Sequence, residues 1–166
     1  MERWLGSSEM KLLLAIKPEY ANAILEGTKK YEFRRRTWRR HVDSVLMYAT
    51  MPVGKVLGEF KIQNILYDKL ESIWLQTKDG AGIIIDEFHR YFRGCEYGYA
   101  VKIGRIVKYE EPLKLSFFNM KPPQSFKYVK TISDYPVEQQ KEILEKMAKS
   151  FTLMLVNGIA SKEEKP

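Results

Sequence analysis

One stretch of the sequence is the most informative about the protein: Gly27-Thr28-Lys29-Lys30-Tyr31-Glu32-Phe33-Arg34-Arg35-Arg36-Thr37-Trp38-Arg39-Arg40. It carries seven cations and one carboxylate, and so contributes +6 of the net charge of +7 over 166 residues. Such a concentration of positive charge is typical of a surface that binds an anion. Glu32 lies inside the run despite the cations around it, which indicates an organised site rather than a simple charged patch.

The spacing at which side chains share one face changes at Gly27, from that of a helix to that of a strand. Before it, Pro18 opens a helix at the first helical position and Gly27 provides a left-handed stop. After it, side chains alternate with the period of a strand, so Tyr31 and Phe33 face one way while Glu32 and Arg34 face the other. The stretch is therefore predicted to join a helix to a strand that continues into a basic hairpin.

The rest of the chain supplies enough elements for a small α+β fold. Strands are predicted over 11–16, 45–49, 56–66 and 97–109, and residues 117–135 are predicted to be irregular. Further helices are predicted over 70–77 and 83–93, and a C-terminal helix runs from Pro136 to about Gly158. We predict about five or six strands with peripheral helices.

Length and composition favour one folded domain. With 45% hydrophobic and 30% charged residues, the chain has a core and a soluble surface. We assign residues 10–158 to this domain, 1–9 to an N-terminal extension and 159–166 to a flexible tail. The apolar runs are shorter than the roughly 20 residues that a bilayer requires, and no signal peptide is visible, so the prediction is a cytoplasmic protein without membrane partners.

Metal and cofactor chemistry find no support in the sequence. His41, His89 and Cys95 are the only residues of their types and lack the spacing of a metal site. No phosphate-binding loop, dinucleotide fingerprint or hydrolase elbow is present. We therefore predict no metal and no cofactor.

Four pieces of the chain, in order, resemble the ASCH family, a branch of the PUA-like β-barrel superfamily. The second piece, 27–34, matches the G-x-K-x-x-E-x-R signature of that family at every fixed position. The pieces are 14–20, 27–34, 48–52 and 122–128. The resemblance covers about residues 10–130 and implies a small closed or nearly closed mixed barrel, with a cleft between the barrel and the first helix.

The same resemblance implies several activities and does not choose among them. ASCH proteins are associated with RNA binding and with proposed roles in transcription or translation. Some small members hydrolyse the acetyl group of N4-acetylcytidine, and others are reported as nucleases. The position that corresponds to Glu32 resembles a Thr in the amidohydrolase branch. The Glu of this chain therefore argues against deacetylation.

The predicted centre of the site is Lys29, Glu32 and Arg34. Glu32 and Arg34 lie two apart on a strand and can pair, while Lys29 enters from the helix–strand junction. One interpretation is a surface ion pair of little energetic weight. The other is a cleft in which Lys29 binds phosphate or polarises a carbonyl and Arg34 orients Glu32; Lys29 and Glu32 would be the catalytic candidates of an enzyme.

The basic run extends this site. Phosphate contacts are predicted for its four remaining arginines, with Trp38 between them as a stacking platform for bases. A solvated hairpin with Trp38 tucked away is the alternative, and Arg35 has the further alternative of pairing inside the barrel. These arginines are Arg35, Arg36, Arg39 and Arg40, and Lys17 is grouped with them.

Polar and aromatic side chains of two other pieces complete the predicted site. Gln124 could read a base edge from the far side of the cleft, although ordinary loop packing explains the same residues. A strand-end hydroxyl could likewise face a ligand or pack in the core. The residues are Gln124, Ser125, Phe126 and Tyr128, with Tyr48 and Thr50 from the strand end.

The leading hypothesis is an RNA- or nucleic-acid-binding domain that uses the basic hairpin and the Lys-Glu-Arg cleft. A hydrolase acting on RNA or a modified nucleoside is the first alternative, and a ligand-sensing or protein-interaction module is the second. The oligomeric state, monomer or weak dimer, stays open.

Overall fold

Six strands form one mixed sheet that curls into a half-barrel, and four helices surround it. The computed structural model describes the backbone of residues 9–163 and their side chains except 150, 151 and 154–163. The strands are β1 (Lys11–Ile16), β2 (Tyr31–Arg34), β3 (Ser44–Ala49), β4 (Lys55–Lys69), β5 (Tyr97–Leu113) and β6 (Phe126–Tyr128). The helices are α1 (Pro18–Glu26), α2 (Leu70–Thr77), α3 (Ile85–Tyr91) and α4 (Val137–Glu163).

The strand order is β2-β5-β4-β3-β1-β6, so β2 and β6 are the two edges of the sheet. β1 and β3 run parallel, and every other neighbouring pair is antiparallel. Register shifts interrupt the long β3–β4 and β4–β5 ladders, as expected where strands bend and twist strongly. The predicted α+β, PUA-like fold is confirmed.

Helix α1 forms as the sequence predicts. Pro18 occupies its first turn, Ala21 and Ile24 are fully buried, and Gly27 ends it with a φ of 82°. The backbone N–H of Gly27 donates to the carbonyl of Ile24 at 3.0 Å, which satisfies one free carbonyl of the helix end. This ending turns the chain directly into Lys29 and β2.

The core has three parts, and one of them contains residues of β2. One lies on the concave side of the sheet under α1, and a second lies on the opposite side against the segment 115–118. The third packs Phe33 of β2 against Phe88 and Phe92 of α3, with ring centroids 5.1 and 6.2 Å apart. The side chain of Phe33 therefore anchors β2 to α3.

Residues 70–96 leave the sheet and return to it at the same point. The last residue of β4, Lys69, pairs with the first residue of β5, Tyr97, and the N–H of Leu70 donates to the carbonyl of Glu96 at 3.2 Å. Helices α2 and α3 belong to this excursion, and they pack on the face of the sheet that carries Phe33 and Ala100.

Three sequence expectations need correction. The basic run is not a hairpin, because β2 pairs with β5 and the following residues cross to β3 as bends and loop. The segment 117–135 is not wholly irregular, since its residues 126–128 pair with β1 as β6. Helix α4 continues past Gly158, where we expected it to end.

The limits of the domain, 10–158, stay a prediction. Residues 1–8 of the extension and 164–166 of the tail lie outside the described residues. In the part that is described, no helix combines the length and the apolar character needed to cross a membrane.

Candidate functional site

A cleft of about 490 Å³ lies where the N-terminal end of α1, strand β2 and helix α3 meet. Its charged lining comprises five cations and three carboxylates. They are Lys17, Lys29, Arg34, Arg35 and Arg90, with Glu19, Glu32 and Glu87. The structure thus brings Lys29, Glu32 and Arg34 together at one cleft beside the first helix.

Lys29 is held in place although its side chain is almost fully buried. Its exposed fraction is 2%, and its Nζ donates to the carbonyl of Ala81 at 2.9 Å. The ammonium lies 4.8 Å from the ring centroid of Phe33 and 5.3 Å from that of Tyr20. Two aromatic faces and one carbonyl therefore stabilise a cation that burial alone would disfavour.

Arg34 crosses the open seam of the half-barrel. From the edge strand β2, its guanidinium donates to Glu32 Oε1 at 3.5 Å and to the carbonyl of Ala15 at 3.4 Å. Its Nη2 also donates to the hydroxyl of Ser125, which directly precedes the other edge strand, β6. One side chain thereby connects β2, β1 and the approach to β6, and its orientation is fixed by all three.

Burial displaces the pKa values of the central pair in opposite directions. It raises the pKa of the Glu32 carboxyl, a shift that the charges of Lys29 and Arg34 oppose. It lowers the pKa of the Lys29 ammonium, and here Glu32 and Glu87 act in opposition. The pKa values of Glu32 and Lys29 therefore lie closer together than those of the free side chains, and such shifted pKa values are common at functional sites.

Helix α3 supplies a wall of the cleft that the sequence did not reveal. Glu87, Arg90 and Tyr91 line it, and the charge of Glu87 acts on both Lys29 and Tyr20. Burial raises the pKa of the Tyr91 phenol, while the charge of Arg34 opposes this. These residues lie more than 50 positions from β2 in the sequence, so only the packing of α3 on Phe33 brings them to the site.

The outer arginines of the basic run are exposed, and several are held at defined positions. Arg35 donates from Nε to the carbonyl of Tyr91 at 2.6 Å, and its guanidinium lies 5.1 Å from that ring. The Tyr128 hydroxyl accepts from the backbone N–H groups of Arg39 and Arg40 at 3.1 and 3.2 Å. Arg36 is exposed as well, so these cations are available to solution.

The prediction that Trp38 provides a stacking platform is wrong. Its exposed fraction is 7%, and it packs in the concave core with its ring 6.0 Å from that of Phe126. A large apolar ring gains more from leaving water than from remaining at a mobile surface, so the loop turns it inward.

The remaining predicted residues separate into two groups. Ser125 reaches the site through Arg34, Lys17 lines the cleft, and Gln124 is exposed beside Ser125. Phe126 and Tyr128 instead line a second groove of about 770 Å³, together with Arg40. Its other cations are Lys121, Lys127 and Lys130.

Tyr48 and Thr50 are not brought to the cleft. The Tyr48 side chain is 4% exposed and packs with Leu13 and Val56 on the opposite side of the sheet. The backbone N–H of Thr50 donates to the carbonyl of Ile16 at 2.9 Å, and its side chain does not line the cleft. The prediction that the hydroxyl of Tyr48 faces a ligand in this cleft is therefore wrong.

Among the side chains that the structure describes, no three from His, Cys, Asp or Glu are grouped so that they could hold a metal ion. The lining of the cleft instead combines three carboxylates with five cations. The carboxylates are those of Glu19, Glu32 and Glu87.

Comparison with known proteins places this geometry in a family. An ASCH domain-containing ribonuclease of Zymomonas mobilis subsp. mobilis is 28% identical over 124 residues, a match that covers 71% of this chain and 83% of that protein. A crystal structure of ASCH from Zymomonas mobilis superimposes with a TM-score of 0.68 at 26% identity, covering 84% of this chain and 94% of that one.

A second relative matches only in part. The large ribosomal subunit protein uL22 of Ureaplasma parvum is 30% identical over 121 residues, or 72% of this chain. The chain spans only 39% of the length of that protein, so most of the relative lies outside the match.

The ASCH domain model matches residues 14–159, which include the cleft, the basic run and most of α4. The chain belongs to the ASCH domain family.

Proposed function

We propose that this protein binds RNA, with one or more phosphates in the cleft between α1, β2 and α3. The observation that carries the proposal is the convergence of Lys29, Glu32 and Arg34 in that cleft, next to exposed arginines of the same stretch. A volume of about 490 Å³ is in the usual range for a small-ligand site and could accommodate a nucleotide. The relative named as a ribonuclease supports RNA as the ligand class.

The cations differ in the role that their surroundings allow. Arg34 is preoriented by a carboxylate, a carbonyl and a hydroxyl, so little side-chain freedom is lost when it contacts a ligand. The exposed guanidinium groups of Arg36, Arg39 and Arg40 are better suited to contact successive phosphates outside the cleft. The second groove, which Arg40 lines, would continue this basic path.

Binding and its salt dependence test the proposal. A short labelled oligoribonucleotide is titrated by fluorescence anisotropy at several salt concentrations, and affinity is expected to fall by a log–log slope of about 0.7 per neutralised phosphate. Replacing Arg36, Arg39 and Arg40 by Ala should reduce that slope by about 2 if each contacts one phosphate.

The matched control is the triple Ala variant of Lys78, Lys141 and Lys149, which are exposed and do not line the cleft. It removes the same charge and should leave the slope almost unchanged. An affinity that does not respond to salt, equal effects of the two triple variants, or no affinity for RNA at low salt would contradict the proposal.

Hydrolysis of the RNA backbone is a second candidate, favoured by the opposite pKa displacements of Glu32 and Lys29. In this scheme the ribose 2′-oxygen forms a bond to the adjacent phosphorus and the bond from phosphorus to the 5′-oxygen breaks. Glu32 takes the proton of the 2′-hydroxyl and gives it to the leaving 5′-oxygen, while Lys29 and Arg34 stabilise the charge that develops on the phosphate. Glu87 is a further carboxylate within the influence of Lys29.

Cleavage is measured separately from binding on a denaturing gel, with N4-acetylcytidine as a second substrate. Glu32→Gln retains the size of the side chain and an oxygen that can accept from Arg34, and it should abolish turnover while binding persists. Binding without cleavage of either substrate would leave RNA binding as the function and reject the hydrolase.

A further inference from the structure

Three tyrosines form an exposed stacked group on the sheet, at positions that the sequence analysis did not connect with function. The rings of Tyr67 and Tyr99 have centroids 4.5 Å apart and an interplanar angle of 28°. Tyr67 also stacks with Tyr97, at 5.6 Å and 27°. Tyr67 is 59% exposed and Tyr97 40%, which leaves a large aromatic surface in water.

The register of the sheet connects this tyrosine group to the cleft. Arg34 of β2 pairs with Tyr99 of β5, and Tyr99 pairs with Tyr67 of β4. Directly opposite residues of neighbouring antiparallel strands project to the same face. Tyr99 and Tyr67 therefore continue the row that starts at Arg34, on the face that also carries Glu32.

The distance along this row suits a short piece of nucleic acid. Two strand spacings separate Arg34 from Tyr67, or roughly 10 Å. This equals about three base steps at the 3.4 Å spacing of stacked bases. A strand whose phosphate contacts Arg34 could thus place its next bases over the tyrosines.

Charge favours an anionic aromatic ligand over an apolar one. Lys69 pairs with Tyr97 in the β4–β5 register and is exposed. One cation, Arg34, therefore lies at the Tyr99 end of the tyrosine group, and another, Lys69, lies at the Tyr97 end. Aromatic faces between two cations are the arrangement in which single-stranded nucleic acids bind, since rings stack on bases while cations contact phosphates.

We propose that Tyr67, Tyr97 and Tyr99 form a stacking platform for unpaired bases of RNA whose phosphates lie in the cleft. This proposal rests on the proposed function and adds the ligand class, single-stranded rather than duplex RNA, because paired bases do not expose their faces. The platform takes the role that we had assigned to Trp38.

The test compares a labelled oligouridylate with an abasic ribose-phosphate oligomer of the same length and charge. The wild-type protein should bind the oligouridylate at least fivefold more tightly, the smallest difference expected from one base stacked on an aromatic ring. The variant with Tyr67→Thr and Tyr97→Thr retains residues that favour strands and should lose most of this preference, because only the half-buried Tyr99 of the platform remains.

Two further variants separate stacking from other roles. Tyr67→Phe with Tyr97→Phe keeps the rings and should retain the preference for bases. Leu75→Ala removes an exposed apolar side chain of α2 elsewhere and should change nothing in this comparison. A merely structural role of the tyrosines would lower the thermal midpoint without changing the ratio of the two affinities.

The possible outcomes distinguish this proposal from the one on which it rests. Tight binding of both probes by the wild-type protein, without preference for bases, would overturn the platform and leave RNA binding intact. Absence of binding to both would overturn the two together. A variant that loses self-association in sedimentation, but not its preference for bases, would identify the tyrosine face as a protein interface and reject the platform.

Discussion

The position of Lys29 depends on a glycine that closes a loop over it, and this dependence can be measured. Gly82 has a φ of +66°, and an added Cβ would lie 2.5 Å from Lys29 Cβ and 2.9 Å from Lys29 Cα. Because one of these contacts is with the backbone, a rotation of the lysine side chain cannot relieve it. We therefore expect Gly82→Ala to move the loop or the lysine.

Gly94 offers a matched control for the backbone part of this effect. It has a φ of +81°, and an added Cβ would meet nothing within 4 Å. The left-handed conformation costs about 1–2 kcal/mol for an alanine, so Gly94→Ala should lower the free energy of unfolding by about that amount. Gly82→Ala has the same cost and, in addition, about 1–3 kcal/mol of overpacking, which gives about 2–5 kcal/mol in total.

Urea unfolding of both variants provides the free energies, provided that their denaturant slopes agree. RNA affinity is then measured under conditions where both are fully folded, and only Gly82→Ala should weaken it, because the contact between Lys29 and the carbonyl of Ala81 is disturbed. Equal losses of stability in the two variants, or an unchanged affinity of Gly82→Ala, would refute this reasoning.

Three more predictions follow from individual side chains. Burial raises the pKa of Glu32 above its ordinary value of 4.5, so the folded state binds this proton more tightly than the unfolded state. The free energy of unfolding should therefore fall as pH rises from about 4.5 through the raised pKa, and Glu32→Gln should flatten this dependence in urea titrations at successive pH values. Trp38→Ala should lower the free energy of unfolding by about 3–5 kcal/mol, while a preserved midpoint would show that the ring is not buried. Ser125→Ala should weaken RNA binding roughly fivefold, the equivalent of about 1 kcal/mol for one hydrogen bond, because Arg34 loses an anchor. The control variant Gln139→Ala, at an exposed residue of α4 that lines neither the cleft nor the second groove, should not weaken it, and equal effects in anisotropy titrations would reject this role of Ser125.

Local patterns predicted the elements that local forces determine. The apolar run 11–16, the helix between Pro18 and Gly27, and the helix Leu70–Thr77 all occur where periodicity and end signals indicate them. Three-residue strand β6 has too few residues to show a period, and it forms only because β1 offers a free edge. The glycine at 158 did not end α4, since a single glycine costs a helix only about 1 kcal/mol.

The site was predictable as far as one strand contains it. The alternation of β2 places Glu32 and Arg34 on one face, and Lys29 lies directly before the strand. The walls were not predictable, because Glu87 and Tyr91 arrive from a helix far along the chain. Trp38 shows the complementary failure: neighbouring charges indicated exposure, whereas the apolar area of the ring determined its burial.

The excursion 70–96 has a consequence for how the ligand preference of such a protein can diverge. It departs from and rejoins the sheet at one point, Lys69 and Tyr97, so its length and sequence can change without altering any strand order. It nevertheless supplies Glu87, Arg90 and Tyr91 to the cleft. Any replacement has to cover Phe33 and Ala100 with apolar side chains and to supply a carbonyl that accepts from Lys29, as that of Ala81 does. A change in this excursion that keeps the carbonyl for Lys29 would therefore alter the lining of the cleft while leaving the strand order and the position of Arg34 on β2 unchanged.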